Sequence, residues 1–344
     1  MPPTHTSLDN SILCNSQPGT TRCHPLDGCL IPAILEWVAP IVLVSCFTRQ
    51  HDSDTIAIRI RELRNIMNEQ KQEFDILPQV ESIEEIEREL DFFPASEEGC
   101  RTLTVEQVQN YNRQGFVSGL EVFTESQALD LKRFFDGLLA DVIEAGGDSY
   151  AISTAHFKHA RVYDLLKHPI IVGYVKDILG ENVIGWGSHF FCKMPHDGKA
   201  VSWHQDASYW PLTPSKTATV WLAIDDTDAE NACMQFIPKS HLHGHLNWRE
   251  SLPGENNVLN QTVENALDFG DPPINNELKA GQISIHNDLL LHGSDANNSD
   301  RRRCGLTLRY CAADVHAYMD WNLKGVIVSG EANSTLWPGA LRPE

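Results

Sequence analysis

Apolar positions along this chain change their period near its middle. Ile56, Ile60, Leu63 and Met67 recur at helical spacing after a capping Asp54 and predict a helix over 56–74. Farther on, Thr104 with Gln107 and Thr124 with Gln127 have the spacing of capping boxes, in which two side chains satisfy the free amides at a helix start. A helix is expected after each. The second carries Ala128, Leu131, Phe135, Leu138 and Val142 on one stripe, which suits packing against a sheet. Beyond Val183 the pattern becomes short β-rich runs divided by Gly, Pro and Asn: VIGWGSHFFCKM, TATVWLAID, CMQFIP, GQISIH and CGLTLRYCAA. The succession predicts a mainly β protein with flanking helices, built as a sandwich or jelly-roll barrel.

Three regions follow from the pattern: an N-terminal extension over 1–100, a catalytic-size domain over 101–325 and a C-terminal tail over 326–344. The extension holds an apolar run over 29–47, the helix over 56–74 and an acidic stretch over 81–91, read as a solvated helix face. The apolar run has about the length needed to cross a bilayer. Glu36 near its middle, Pro32 and Pro40 inside it, and 28 preceding residues without the basic start of a signal sequence weigh against a membrane anchor. A cytoplasmic protein is therefore expected.

The nine cysteines form no CxxC pair, and the four in the first fifty residues (Cys14, Cys23, Cys29, Cys46) lack the close spacing of zinc ligands, so free thiols are expected. With 344 residues, 42% of them hydrophobic, the chain can bury a sizeable core. Lys and Arg total 27 against 47 for Asp and Glu, a formal charge of -20, which repels phosphate backbones and anionic surfaces. Nucleic acid is excluded as a partner on that ground; oligomeric state is not legible.

Candidate chemistry centres on VSWHQDASYWPL, where His204 and Asp206 stand two apart. On an extended strand such residues point to one side, so an imidazole and a carboxylate can reach one metal ion. The triplet His286-Asn287-Asp288 has the same form, so spacing alone does not choose. Two histidines and one carboxylate on one face of an octahedron suit non-haem iron(II) and leave positions open for cosubstrate and oxygen. For His204 and Asp206 a third ligand is available in His292, 88 residues downstream on another β run and followed by Gly293, which permits close approach. Beyond His292 itself, the second triplet has only His316. Arg303, eleven residues after His292, is placed to meet a carboxylate with its planar fork, whereas Arg301 and Arg302 read as solvated turn residues.

These residues resemble the phytanoyl-CoA dioxygenase family of 2-oxoglutarate oxygenases over roughly 103–312, in LTVEQVQNYNRQGFV, WHQDASYWPL, TVWLAIDDTDAENACMQFIPKSH and SIHNDLLLHGSDANNSDRRRCGLTLRY. The resemblance implies a double-stranded β-helix, a jelly-roll of the cupin-like kind. It implies iron(II) on His204, Asp206 and His292, and Arg303 on the far carboxylate of 2-oxoglutarate. It further implies cosubstrate contacts from Ser294, Trp221, Lys193 and His189, and a supporting place for His286. Read from the residues, Trp221 is equally a core side chain, Lys193 a surface charge, Ser294 a turn former and His189 a pocket wall. His241, His243 and His245 are taken as a loop cluster.

The implied activity is an oxidoreductase, a dioxygenase that consumes O2 and 2-oxoglutarate, releases succinate and CO2, and hydroxylates a small-molecule metabolite such as a natural-product intermediate of secondary metabolism. Retention of Asp206 argues against halogenation. Desaturation, epoxidation or ring formation by the same site is one alternative; a non-catalytic barrel serving as a binding module is another. Trp186, Phe191, Trp203, Tyr209 and Trp210 near the ligand block are candidates for an apolar substrate pocket.

Overall fold

The computed structural model describes residues 83–252 and 254–344. The apolar run, the helix over 56–74, the four N-terminal cysteines and the first two residues of the acidic stretch lie outside the described residues. Among the described residues the helices are α1 (Val105–Gln114), α2 (Glu125–Glu144), α3 (Ala160–Leu166) and α4 (Pro169–Leu179). Fourteen strands follow in chain order: β1 (Phe116–Glu121), β2 (Val183–Lys193), β3 (Val201–His204), β4 (Leu212–Thr213), β5 (Thr217–Ala223), β6 (Gln235–Phe236), β7 (Arg249–Glu250), β8 (Gln261–Thr262), β9 (Ile274–Asn275), β10 (Gln282–Asn287), β11 (His292–Ser294), β12 (Arg303–Ala312), β13 (His316–Ala317) and β14 (Val326–Ser329). A six-stranded antiparallel sheet has the order β1-β10-β5-β12-β2-β14, and a four-stranded one the order β3-β11-β6-β9. The fold is the double-stranded β-helix expected from the sequence.

Both capping boxes are formed, Thr104 with Gln107 and Thr124 with Gln127. The α2 stripe buries Ala128, Leu131, Phe135 and Leu138, with Leu139 added and Val142 at its margin. Strand periodicity gives the large sheet two chemically different faces. On one face Leu222, Val220, Leu306, Leu308, Ile283 and Phe190 meet the apolar stripes of the helices in the main core. The opposite face of β12 carries Arg303, Gly305, Thr307 and Arg309.

Residues assigned by sequence to the flanking regions touch this domain. Arg88 donates from Nη1 to the carbonyls of Ala207 (2.8 Å) and Trp210 (2.9 Å), so the segment before α1 straps the turn after β3. In 326–344, β14 pairs with β2, and Trp337 is fully buried with its indole donating to Val315. The five described cysteines are free. Among the described residues, no helix is long and apolar enough to cross a membrane.

Candidate metal centre and its two cavities

His204 ends β3 and His292 begins β11, and the two are direct register partners across that antiparallel pair. Gly293 makes the pairing close, since a Cβ there would lie 2.8 Å from the Val201 carbonyl. Gln205 remains extended and turns its side chain to the other side, donating to the carbonyls of Gly244 (2.9 Å) and Leu289 (2.6 Å) and accepting from the Leu246 amide (2.7 Å). Asp206 then opens a short 3-10 turn, Asp206–Tyr209, and faces the two imidazoles. One donor atom from each of His204, Asp206 and His292 falls within 4.8 Å of the others, and all three residues are buried.

Each imidazole is fixed through its far nitrogen: His204 Nδ1 lies 2.8 Å from the Ser202 carbonyl and His292 Nδ1 lies 2.9 Å from the Leu290 carbonyl. A carbonyl only accepts, so each Nδ1 bears the proton and each Nε2 lone pair is directed inward. Both Nε2 atoms stand 4.0 Å from Asp206 Oδ1, too far for hydrogen bonds and suited to donors sharing one central ion. Thr219 Oγ1 donates to Asp206 Oδ2 at 2.9 Å, which leaves Oδ1 free. Burial lowers the affinity of His204 for a proton, and burial with the neighbouring His204 and His286 lowers that of His292 still further. For Asp206, burial alone would favour the acid, but His286, His292 and Arg309 outweigh it and hold the carboxylate ionised. Two neutral imidazoles and one carboxylate are the donor set that suits a divalent transition metal, so the residues present fit iron(II).

A first cavity runs from this triad to Arg303, past Trp221, Ser294, Thr307 and Met234. The Arg303 guanidinium is buried, donates from Nη2 to Ser294 Oγ (2.9 Å) and from Nε to the Ala232 carbonyl (3.0 Å), and lies 5.9 Å from the Trp221 ring. Among the described residues it has no carboxylate partner. A buried, unpaired cation is costly, which makes the inner end of this cavity a receptor for an anion. Gly305 admits the Trp221 ring, because a Cβ at that position would sit 2.0 Å from Cζ2.

A second cavity opens from the same triad between Trp186, Tyr209, Trp210, Trp321, His189 and Leu259. His204, Asp206, Phe191 and Arg309 line both cavities. Of the aromatic candidates, Trp186, Phe191, Tyr209 and Trp210 therefore face the site, while Trp203 packs into a separate apolar cluster with Ile237 and Val263.

Ser294 and Trp221 stand beside Arg303, as the resemblance implies. His189 lies instead in the second cavity, its ring 4.4 Å from Phe191, where burial pushes its pKa down to about 3. Lys193 lines neither cavity: its ammonium is spent on the carbonyls of Lys199 (2.9 Å), Ser294 and Asp295, so it ties the strand ends behind the site. His286 is buried with Nε2 3.7 Å from Asp206 Oδ2. His241 and His245 go to separate partners, the Asn112 carbonyl and Ser208, as a loop cluster would.

Three neighbours of the site were not singled out from sequence: Thr219, Arg309 and Gln205. Strand alternation contained the signal for two of them. Thr219 shares a face with Trp221, and Arg309 shares a face with Arg303. His286, Thr219, Arg309 and Gly187 form one register row across β10, β5, β12 and β2, immediately under the triad.

Residues 83–305 match the family described as "Phytanoyl-CoA dioxygenase (PhyH)". A probable alpha-ketoglutarate-dependent hypophosphite dioxygenase of Stutzerimonas stutzeri is 30% identical over 193 residues, covering 55% of this chain and 64% of that protein. A probable phytanoyl-CoA dioxygenase of Caenorhabditis elegans is 27% identical, covering 46% of this chain and 53% of its own length. The chain thus spans less than two thirds of these relatives. Among solved structures, the non-heme monooxygenase ThoJ superposes with a TM-score of 0.58 and 26% identity, covering 69% of this chain and 88% of that one.

Proposed function

This chain belongs to the phytanoyl-CoA dioxygenase family, and on that premise we propose that it is an iron(II)- and 2-oxoglutarate-dependent oxygenase of a small molecule. His204, Asp206 and His292 hold the metal, Arg303 with Ser294 receives the far carboxylate of 2-oxoglutarate, and Trp221 walls the cosubstrate channel. The observation that carries the reading is the pairing of two Nδ1-anchored imidazoles and a carboxylate with an unpaired buried guanidinium at the end of one narrow cavity. The hypophosphite dioxygenase and ThoJ, each named for oxygenase chemistry, support it.

When bound, iron(II) with 2-oxoglutarate supplies the oxidative decarboxylation to succinate and CO2 that is coupled to hydroxylation of a substrate C–H bond. The protein supplies order. The Ser202 and Leu290 carbonyls set the direction of the imidazole lone pairs, Thr219 restricts Asp206 to one free oxygen, and Arg303 fixes the chain axis of the cosubstrate. Aromatic walls of the second cavity exclude water and suit a small metabolite with apolar surface, the size and character of a natural-product intermediate. A cytoplasmic setting agrees with the free thiols.

Succinate formation by anaerobically prepared protein, given iron(II), 2-oxoglutarate and then O2, tests the reading. Succinate is expected from wild type and not from His204→Ala, Asp206→Ala or His292→Ala. Equal succinate from the variants, or none from wild type across a broad metabolite panel together with absent iron binding, overturns it and favours a non-catalytic binding barrel.

A further inference from the structure

The second cavity has a charge balance opposite to that of the chain. The whole sequence carries -20, yet the cavity is lined by two cations, Arg309 and Lys324, and Asp206 is its sole carboxylate among the described residues. Asp206 is already committed to the metal in the reading above, which this inference deepens and on which it rests. A divalent iron, the Asp206 carboxylate, dianionic 2-oxoglutarate and the Arg303 guanidinium cancel one another. Arg309 and Lys324 are left over.

Among the described residues, neither has a carboxylate of its own. Among the same residues Arg309 makes no ion pair within 4.0 Å, its buried Nε has no hydrogen-bond partner, and its guanidinium lies beside the edge-packed pair of Trp186 and Trp210 rings, at 5.8 and 5.3 Å from their centres. Gly187 makes room for it, since a Cβ there would lie 3.2 Å from Arg309 Cδ. The Lys324 ammonium lies 4.1 Å from the centre of the Trp321 ring, and the carbonyl of the same lysine is 3.4 Å from His156 Nε2. Trp186 Nε1 is a further buried polar atom without a hydrogen-bond partner on this cavity wall. Two like charges in one enclosure repel, and buried donors without acceptors are costly, so a bound acceptor would relieve both terms. Aromatic faces orient the two cations without neutralising them.

We infer that the substrate carries an anionic oxygen group, a carboxylate or its equivalent, received by Arg309 and Lys324, on a planar apolar body that packs among Trp186, Trp210 and Trp321. Such a contact fixes the substrate at one end and leaves its body beside the triad, where His204 and Asp206 line the same cavity. Arg309 and Lys324 are in this sense residues that determine specificity.

The test is anaerobic calorimetric titration of the full chain with 2-naphthoate and with its uncharged counterpart 2-naphthamide, first without metal and then with iron(II) and 2-oxoglutarate. Charge-assisted hydrogen bonds predict that wild type prefers the carboxylate by roughly ten- to a hundredfold. Arg309→Gln and Lys324→Gln should each reduce that preference, Arg309→Lys should retain part of it, and Arg303→Gln should leave it intact because that cation serves the other cavity. Melting temperatures of the variants separate loss of the contact from loss of the fold. Equal affinity for the two probes, no binding of the carboxylate up to its solubility, or a preference unchanged in both Gln variants overturns the inference. Because the first titration needs neither metal nor turnover, an intact preference without succinate formation overturns only the oxygenase reading. Succinate formation with equal affinities overturns only the anion site.

Discussion

His204 and His292 face each other across two paired strands with the same tautomer, each set by a backbone carbonyl two residues earlier. Because burial lowers the proton affinity of both rings, they stay neutral below the ordinary histidine range. Iron affinity should therefore hold nearly constant as pH falls from about 7.5 to about 6, where an unperturbed histidine pair would already lose metal to protons. Competition titration with a chelator across that range checks this. A steep loss of affinity centred on the ordinary histidine pKa would show that the rings are not desolvated.

Arg303 and Ser294 should contribute unequally to cosubstrate binding. Replacing Arg303 by Gln leaves the far carboxylate without a charged partner, a loss of about 2–3 kcal/mol, or roughly thirty- to a hundred-and-fiftyfold in the Kd for 2-oxoglutarate. Ser294→Ala removes one neutral hydroxyl that also orients the guanidinium, for about 1 kcal/mol. Anaerobic titration with 2-oxoglutarate measures both, and iron affinity in its absence should not change in either variant.

Thr219→Val keeps the shape of the side chain and deletes its hydrogen bond to Asp206 Oδ2. The carboxylate is then free to rotate, and removal of such a partner of a metal ligand weakens affinity by about ten- to a hundredfold. Expected in consequence is a loss of iron affinity with little change in melting temperature. A variant that binds iron as wild type does would show that His286 and the strand geometry orient Asp206 without Thr219.

The proposed ligand triad is legible in the sequence because three cues converge on the same residues: a two-residue spacing, a glycine after the distal histidine, and a family-like run around each. Arg303, proposed for the far carboxylate, is legible from the family-like run and from its place eleven residues after His292. Helix starts were readable from local chemistry, as Thr104 and Thr124 show, since a capping box is decided within four residues. Lys193 was different: its position at the end of β2 is consistent with the cosubstrate cavity, but three carbonyls brought in by separate loops claim its ammonium. Arg309 is not legible in the sequence because an arginine inside an apolar strand has meaning only once β5 and β2 are laid beside β12 and its row partners are known. The same dependence on long-range pairing hides Gln205, whose three hydrogen bonds all go to residues about forty or more positions away.

Gly305 is a packing requirement of the cosubstrate cavity. A methyl group there would fall within bond-like distance of the Trp221 ring, so Gly305→Ala must displace the indole or the strand. Overpacking of this kind costs about 1–3 kcal/mol, and the displaced ring would crowd Arg303. Both a lower melting temperature and a higher Kd for 2-oxoglutarate are expected. Unchanged values for the two would mean that Trp221 has room to move without affecting either.

Asp288, the carboxylate of the second His-x-Asp triplet, is buried away from both cavities, where Ser215 Oγ donates to it at 2.5 Å. Burial, reinforced by the charge of Asp206, outweighs the Ser215 hydroxyl and pushes its pKa up to about 6. The folded chain then binds a proton more tightly than the unfolded chain, so the contribution of this group to stability is fully present below the unfolded carboxyl pKa and is lost as pH rises through about 6. A shift of that size corresponds to about 3 kcal/mol at neutral pH. Asp288→Asn keeps the volume and an acceptor for Ser215 but has no charge to bury. Relative to wild type, the variant should gain stability progressively between about pH 4 and pH 7 and gain none below that range. Urea unfolding at a series of pH values measures the difference directly. A variant less stable than wild type at pH 8 would mean that the ionised Asp288 is stabilised in place, with the partly buried Arg88 as a source of compensating charge.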